Sequence, residues 1–407
     1  MLEIDWRQGP AYPLGIQDCS VGVVNRRIIS AGGFSRHPKN VLQPHPDAFG
    51  GEPSGFTRLT FLFDPCDEAA GWTRIPDRPG VARQGAAAAV VNDELWTFGG
   101  FSYSEPLCFQ DVCRLRQVRG AWAWETVDTC PLPWPMCWPG TAVLGTKVYL
   151  IGGVDYFQPE GEAGPDLHAE AGRAGNPVGQ ATWVLDTARL DQGWARLADL
   201  PGTARGLGGV GVGGGRIWVL RGFHGALHKA PDGGAYYNVV DSWVYDPAAD
   251  AWSRLRDLPH GCNYGVVVHR DRYLVLLGGY RYPKTQNPDG TRTDCYTAAE
   301  QGRDWKEFFQ RRVLAYDTQT GELTTADPLL DEDNGPLAVM LDDTIYYVGS
   351  EGGHGLWHPD AFLIGRVRER SIPAAVSPSP GAAVRAEPSA LPRSSRRSSG
   401  GACPGGG

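Results

Sequence analysis

Polar and aromatic side chains follow six apolar runs that end in glycine, at Gly33, Gly100, Gly153, Gly222, Gly279 and, in a weaker form, Gly349. The candidates for a binding site one to five positions later are Arg36, Tyr103, Asp155, Tyr156, His224, Arg281, Tyr282, Glu351 and His354. Arginines bind anions through paired hydrogen bonds, and carboxylates and histidines transfer protons. The equivalent positions predict one ligand-binding surface. The aromatic residues directly after the glycines, Phe34, Phe101, Phe223 and Tyr280, fit this surface or the core equally well.

Familiar catalytic motifs are missing from the chain. We find no Gly-x-Ser-x-Gly elbow, phosphate-binding loop, dinucleotide fingerprint or His-Glu-x-x-His helix. His224 and His228 have a spacing that suits a metal on a helix, but Gly225 argues against a helix there. We therefore predict no metal and no cofactor.

Two sets of regularly spaced residues, tryptophans and glycines, reveal an internal repeat. Tryptophans 6, 72, 124, 194 and 252, with Leu323 in the sixth place, each precede the glycine that closes their unit by 26 to 29 residues. From that glycine to the next tryptophan, or to Leu323 in the sixth place, the distance ranges from 24 to 44 residues. The constant part indicates a scaffold, and the variable part indicates loops.

Each unit predicts four antiparallel strands. A small-residue strand such as GLGGVGV is followed by a short polar turn and by the apolar strand that ends in glycine. After the variable loop come a third strand, as in SWVYDP, and a fourth strand that carries the tryptophan. Four such strands form one blade of a propeller, with the small-residue strand nearest the axis.

These glycine pairs and tryptophans resemble the Kelch repeat family. The resemblance covers about Leu2 to Arg370, and it implies an all-β, six-bladed Kelch-type β-propeller. The departures are Arg221 in place of the first glycine of the fourth pair, Leu323 in place of a tryptophan, and the degenerate VGS of the sixth unit. The last unit lacks a tryptophan strand, and the chain begins with an isolated one, LEIDWRQGP. We predict that the N-terminal strand completes the last blade.

The turns between blades reach the same face as the variable loops. They offer Asp18, Arg83, Trp138, Arg205, Asn263, Tyr264 and Asn334, and in Kelch propellers such turns commonly line the pocket. Arg83 and Arg205 occupy matching places, 16 residues before the first position of their glycine pair. They either favour an anionic ligand or pair with acidic neighbours.

Composition sets broader limits. With 55 glycines and 32 prolines among 407 residues and a net charge of -8, the chain fits neither collagen nor a nucleic-acid-binding protein. No apolar run of about 18 residues and no signal peptide is seen, so we expect no membrane partner, a cytoplasmic location and a monomer. The nine scattered cysteines suit reduced thiols. We place the propeller at residues 1–370 and a disordered tail, rich in Ser, Pro and Gly, at 371–407.

One further segment, Thr297 to Arg312, predicts a helix, because Trp305, Phe308 and Phe309 follow helical spacing.

Two functions compete. The first is a Kelch-repeat binding module that holds a protein, a peptide or a small sugar-like or anionic ligand in a loop-lined pocket. The alternative is a carbohydrate mutarotase or epimerase, a type found on some six-bladed Kelch propellers. It needs one acid and one base near a sugar ring, for which Glu351, Glu170, His224 or His354 could serve. A copper oxidase is a weaker alternative, because nothing aligns its Tyr, His and Cys ligands here.

Overall fold

Short antiparallel strands dominate the structure, a computed structural model. It describes residues 1–35, 43–44, 55–103, 106–157, 166–168, 178–206, 208–225, 236–259, 265–303, 305–331, 333–334, 337–349, 351–352 and 362–370. Residues Met1–Arg370 belong to one compact unit. The tail predicted over 371–407 lies outside the described residues.

The strands are numbered in chain order. The first twelve are β1 Leu2–Gln8, β2 Ser20–Val24, β3 Arg27–Ala31, β4 Phe34–Ser35, β5 Gln43–Pro44, β6 Gly55–Phe56, β7 Thr60–Phe63, β8 Trp72–Ile75, β9 Ala87–Val91, β10 Glu94–Phe98, β11 Val112–Val118 and β12 Ala121–Thr126. The next twelve are β13 Gly140–Leu144, β14 Lys147–Ile151, β15 Asp155–Phe157, β16 Asp166–His168, β17 Thr182–Asp186, β18 Trp194–Arg196, β19 Gly209–Gly213, β20 Arg216–Leu220, β21 Gly222–Gly225, β22 Tyr236–Val239, β23 Trp243–Asp246 and β24 Ala251–Arg254. The last eleven are β25 Gly265–His269, β26 Tyr273–Leu277, β27 Lys284–Gln286, β28 Arg292–Asp294, β29 Val313–Asp317, β30 Leu323–Ala326, β31 Asp333–Asn334, β32 Leu337–Leu341, β33 Thr344–Val348, β34 Glu351–Gly352 and β35 Phe362–Glu369.

Four-stranded antiparallel sheets repeat along the chain, as predicted. Their strand orders are β2-β3-β7-β8, β9-β10-β11-β12, β13-β14-β17-β18, β19-β20-β23-β24, β25-β26-β29-β30 and β32-β33-β35-β1. In the last sheet the N-terminal strand β1 pairs with β35 over seven residues, from Leu2 opposite Glu369 to Gln8 opposite Leu363. The fourth strand of this sheet therefore comes from the opposite end of the chain.

Tight turns join the first two strands of each sheet. The turn residues Asn25 and Arg26 have φ of 48° and 60°, and the pairs Asn92–Asp93 and Arg270–Asp271 also have positive φ. Two consecutive residues with positive φ define the type I′ turn, whose twist matches that of the two strands. The short polar segments of the sequence thus form hairpins.

The first strands of the six sheets lie side by side. β2 contacts β9 and β32, β13 contacts β9 and β19, and β25 contacts β19 and β32. Small residues allow this approach. A Cβ placed on Gly140 of β13 would lie 2.3 Å from Cγ2 of Val210 on β19, so a larger residue would push the two strands apart.

Four of the regularly spaced tryptophans connect neighbouring sheets through indole hydrogen bonds. Trp124 donates to the carbonyl of Pro76 at 2.9 Å, Trp194 to Cys130 at 3.2 Å, and Trp252 to Ala198 at 2.9 Å. In each case the acceptor follows the fourth strand of the preceding sheet. Trp6 on β1 does the same toward Asp327, which follows β30, at 3.1 Å. The N-terminal strand therefore has the packing of a fourth strand.

Helical structure is confined to short 3₁₀ turns in the described part of the chain. These are Glu68–Ala70, Val178–Gln180, Leu190–Gln192 and Trp305–Phe308. The predicted helix over Thr297 to Arg312 is wrong, because only Trp305–Phe308 is helical. Phe309 instead bridges to Tyr280, and both consecutive rings, Phe308 and Phe309, are buried. This bridge takes Phe309 out of the predicted helix.

Candidate functional site

A cavity of about 170 Å³ lies where the first strands of all six sheets meet. Its wall combines small residues of these strands with Asp18, Cys19 and Trp138 from the turns that precede them. Beyond it lies a second cavity of about 420 Å³ lined mainly by Val, Ala and Met340. Of the two cavities, the first carries the ionisable and aromatic groups, and we take it as the candidate site.

Asp18 and Trp138 reach this cavity from equivalent turns. Both have φ of 52°, and Gly85, at the equivalent position of the second unit, has φ of 64°. The Gly85 N–H donates to the carbonyl of Asp18 at 3.0 Å, and the Trp138 N–H donates to the carbonyl of Gly85 at 2.8 Å. This backbone chain holds the turns together. The structure thus brings the predicted residues Asp18 and Trp138 to one cavity.

The aromatic residues directly after the glycine pairs belong to the core. Phe34, Phe101, Phe223 and Tyr280 are each 5% exposed or less and pack into one cluster. Short bridges such as Gln17 to Phe34 and Gln84 to Phe101 fix them against the turns. Trp138 packs on the rings of Phe101 and Phe223, with centroids 6.1 and 6.2 Å away. The cluster therefore supports the indole that lines the cavity.

The matching arginines Arg83 and Arg205 adopt the second of their two predicted arrangements, in which each pairs with an acid. Arg205 is 1% exposed and forms an ion pair with Asp241, while its other nitrogens donate to the carbonyls of Thr203 and Arg221. Burial lowers the pKa of Arg205. Burial alone would raise the pKa of Asp241, but attraction to Arg205 and a hydrogen bond from Trp243 lower it. The ion pair thus opposes the effect of burial on both side chains.

Arg83 repeats this arrangement in the second sheet. It is 3% exposed, pairs with Asp111 and donates to the carbonyls of Val81 and Gly99. Burial, followed by repulsion from Arg78, lowers its pKa to about 10. Neither Arg83 nor Arg205 lines the cavity. Asp111 and Asp241, which sequence reasoning missed, both stand just before the third strand of their unit, and that shared position was the available signal.

Two further predicted residues are buried near the core cluster, and Tyr103 is half-buried against it. Asp155 is fully buried, and His224 is 1% exposed. The Nδ1 of His224 lies 2.8 Å from the carbonyl of Ala204; because a carbonyl only accepts, Nδ1 carries the proton. Tyr103 packs on Phe56 and Phe101, and burial raises its pKa.

Arg281 and Tyr282 lie in the fifth loop, away from the cavity wall. Arg281 forms an ion pair with Glu300 and lies over the ring of Phe308 at 5.2 Å. Tyr282 stacks on Tyr236 at 5.7 Å. These contacts join the fourth and fifth loops through the mixed sheet β21-β22-β27-β28.

The remaining predicted residues are placed only in part. Asn334 on β31 pairs with Glu351 on β34, so the backbone brings these two together. Tyr156 lies on β15, which pairs with β16. Outside the described residues lie Arg36, Glu170, Asn263, Tyr264 and His354.

Within the described ranges, no group of three or more His, Cys, Asp or Glu side chains is arranged to hold a metal ion. No helix of this part of the chain is both long and apolar enough to cross a membrane.

The chain was compared with known protein families and sequences. No protein-family model matches the chain. Over 233 residues it is 26% identical to the N-acetylneuraminate epimerase of Brucella melitensis, an alignment that covers 49% of the chain and 58% of that relative's length. It is 23% identical over 314 residues to the N-acetylneuraminate epimerase of Pasteurella multocida, covering 70% of the chain and 78% of the relative.

Two further similarities concern the repeat and the fold. The chain is 36% identical over 124 residues to a Kelch domain-containing protein of Vibrio cholerae, covering 30% of the chain and 32% of that protein. The chain is also similar to the solved structure of YjhT, with a TM-score of 0.60 and 15% sequence identity. The match covers 88% of this chain and 95% of the YjhT chain. The chain is thus similar to Kelch-repeat proteins over part of its length, and it has an all-β fold of the propeller type.

Proposed function

We propose that the six four-stranded sheets are the blades of one closed propeller. Three observations support closure. The first strands contact one another in a cycle that returns from β32 to β2. The N-terminal strand β1 pairs with β35, and Trp6 makes the indole contact of a fourth strand. The turn of the first hairpin also meets that of the last, where Arg26 pairs with Asp342 at 2.5 Å.

The central cavity then serves as the binding site for an acidic sugar, and the protein interconverts the epimers of that sugar at its anomeric carbon. The observation that carries this proposal is the presence of Asp18 and Trp138 in one cavity lined by all six first strands. The similarity to N-acetylneuraminate epimerases points to the substrate class. An indole face offers a sugar ring an apolar surface for stacking.

Epimer exchange at an anomeric carbon requires proton transfers. A base removes the proton of the anomeric hydroxyl while an acid protonates the ring oxygen, so that the ring opens and closes again on the other face. Asp18 is the one carboxylate among the described residues that line the cavity. We assign it one of these two transfers.

The test is Asp18→Asn, with the exchange of N-acetylneuraminate anomers followed by NMR. General acid–base groups contribute about 10²- to 10⁴-fold to rate, so the variant should lose at least about 100-fold. Asp128→Asn is the matched control, because Asp128 is exposed and does not line the cavity. An unaccelerated exchange with the wild-type protein would reject the activity. Saturable sugar binding without exchange would leave a binding module.

A further inference from the structure

A second pocket, of about 420 Å³, lies in the fifth unit and shares no lining residue with the central cavity. Its wall includes Phe308, Phe309, Gln310 and Arg312, which lead into β29, together with Arg281 of the fifth loop. Backbone hydrogen bonds hold the two segments together: Arg281 N–H donates to Phe308 at 3.2 Å, and Gln310 N–H to Gly279 at 3.0 Å. The pocket is therefore built on paired backbone.

Among the described residues that line this pocket, one cation has no ion pair. Arg281 is paired with Glu300, and Arg303 is paired with Glu307, which also lines the pocket. The Nε of Arg312 is buried and meets no hydrogen-bond acceptor among the described residues. A buried guanidinium donor without an acceptor costs free energy. A bound anion would remove that cost.

Position and chemistry indicate what the anion is. Gln310 and Arg312 both line the pocket, so an amide and a guanidinium border the same space. An amide and a guanidinium side by side suit the two oxygens of a carboxylate. Phe308 and Phe309 supply an apolar wall for the body of the ligand. Glu307 opposes a doubly charged group such as phosphate.

We propose that this pocket binds the carboxylate of a small organic acid through Arg312 and Gln310. The site is independent of the central cavity and of the sugar chemistry proposed for it. The ligand class is a monocarboxylate with a flat or apolar body, because one unneutralised positive charge faces an aromatic wall.

The experiment titrates the full chain with para-fluorobenzoate and observes the ligand by fluorine NMR. The expected result is saturable binding that Arg312→Gln weakens at least about tenfold, equal to about 1.4 kcal/mol. Since the Arg312 side chain makes no ion pair in the described structure, the variant should keep the thermal stability of the wild type. Arg256→Gln is the matched control, because it removes the same charge from an exposed position outside the pocket.

Three outcomes would overturn the proposal. These are wild-type binding by Arg312→Gln, equal binding of the neutral para-fluorobenzamide, and stronger competition by inorganic phosphate than by acetate. None depends on the Asp18→Asn result, so the two proposals fail separately.

Discussion

A Cβ built on Gly85 would lie 2.4 Å from Nε1 of Trp138. The indole that lines the central cavity thus occupies the space that a side chain at Gly85 would need. Gly85 also has φ of 64°, and its N–H and carbonyl bond to the equivalent turns on either side. Because Gly85 of the second unit has no side chain, Trp138 of the third unit has room to lie over the cavity.

Gly85→Ala should displace this indole. A positive φ costs a residue with a side chain about 1–2 kcal/mol, and the contact with Trp138 adds to that cost. We expect a larger fall in the free energy of unfolding than in Gly145→Ala, together with weaker sugar binding. Gly145 has φ of 61°, and a methyl group there would meet nothing within 4 Å, so this control isolates the backbone effect. Urea titration with tryptophan fluorescence measures the stability of both variants; equal losses would contradict the steric role.

The buried ion pair of Arg205 and Asp241 should be costly to break from one side. The side chains are 1% and 0% exposed, so Asp241→Asn leaves a buried guanidinium without its counter-charge. Breaking such a pair typically costs about 3–5 kcal/mol. The control is Asp257→Asn, whose pair with Arg254 is about half exposed and should contribute no more than about 1 kcal/mol. Chemical denaturation compares the two, and similar losses would show that burial of the pair is unimportant.

His269 should make the stability of the fold depend on pH. Its side chain is fully buried at the end of β25, facing Asp343, Glu369 and Arg270, and burial lowers its pKa below the ordinary 6.5. The unfolded chain then binds a proton more readily than the folded one. This contribution to stability is complete above about pH 6.5 and is lost as the pH falls toward the lower pKa of the folded state.

His269→Asn removes the titrating group. The free energy of unfolding of the wild type should fall more steeply between pH 7 and 5 than that of the variant, as measured by urea titration at each pH. Parallel pH profiles would show that His269 does not cause the dependence.

The repeat was accessible from the sequence because it rests on local rules. A polar turn with positive φ, as at Asn25 and Arg26, and a tryptophan at a fixed distance from glycine leave direct traces in the chain. The four strands of each unit follow from these traces. The helix predicted near Trp305 failed because spacing alone cannot show that Phe309 pairs with Tyr280 in an extended segment.

The site was harder to predict because it depends on contacts between units. Asp18 and Trp138 were chosen from their place in the turns, and they do line the central cavity. Arg83 and Arg205 share the same turns, yet their side chains run toward Asp111 and Asp241 instead. The sequence contains the acids needed for either arrangement. Only the three-dimensional structure shows which acid each arginine reaches.

The proposed closure by the N-terminal strand gives the last prediction. Deleting residues 1–9 removes β1, whose Leu2 and Ile4 are 2% and 3% exposed. Burial of each such side chain is worth about 1.5–3 kcal/mol, and β35 would lose its hydrogen-bonded partner along seven residues. We expect a lower melting temperature and an open edge that promotes association.

The matched control for this deletion removes residues 371–407 and keeps β1. If the propeller is contained in residues 1–370, this truncation should melt at the temperature of the full chain. Differential scanning calorimetry compares melting, and light scattering compares association. A chain without residues 1–9 that melts as high and as cooperatively as the full chain would show that β1 does not close the ring. In that event the contact between Trp6 and Asp327 would be a surface contact with little effect on stability.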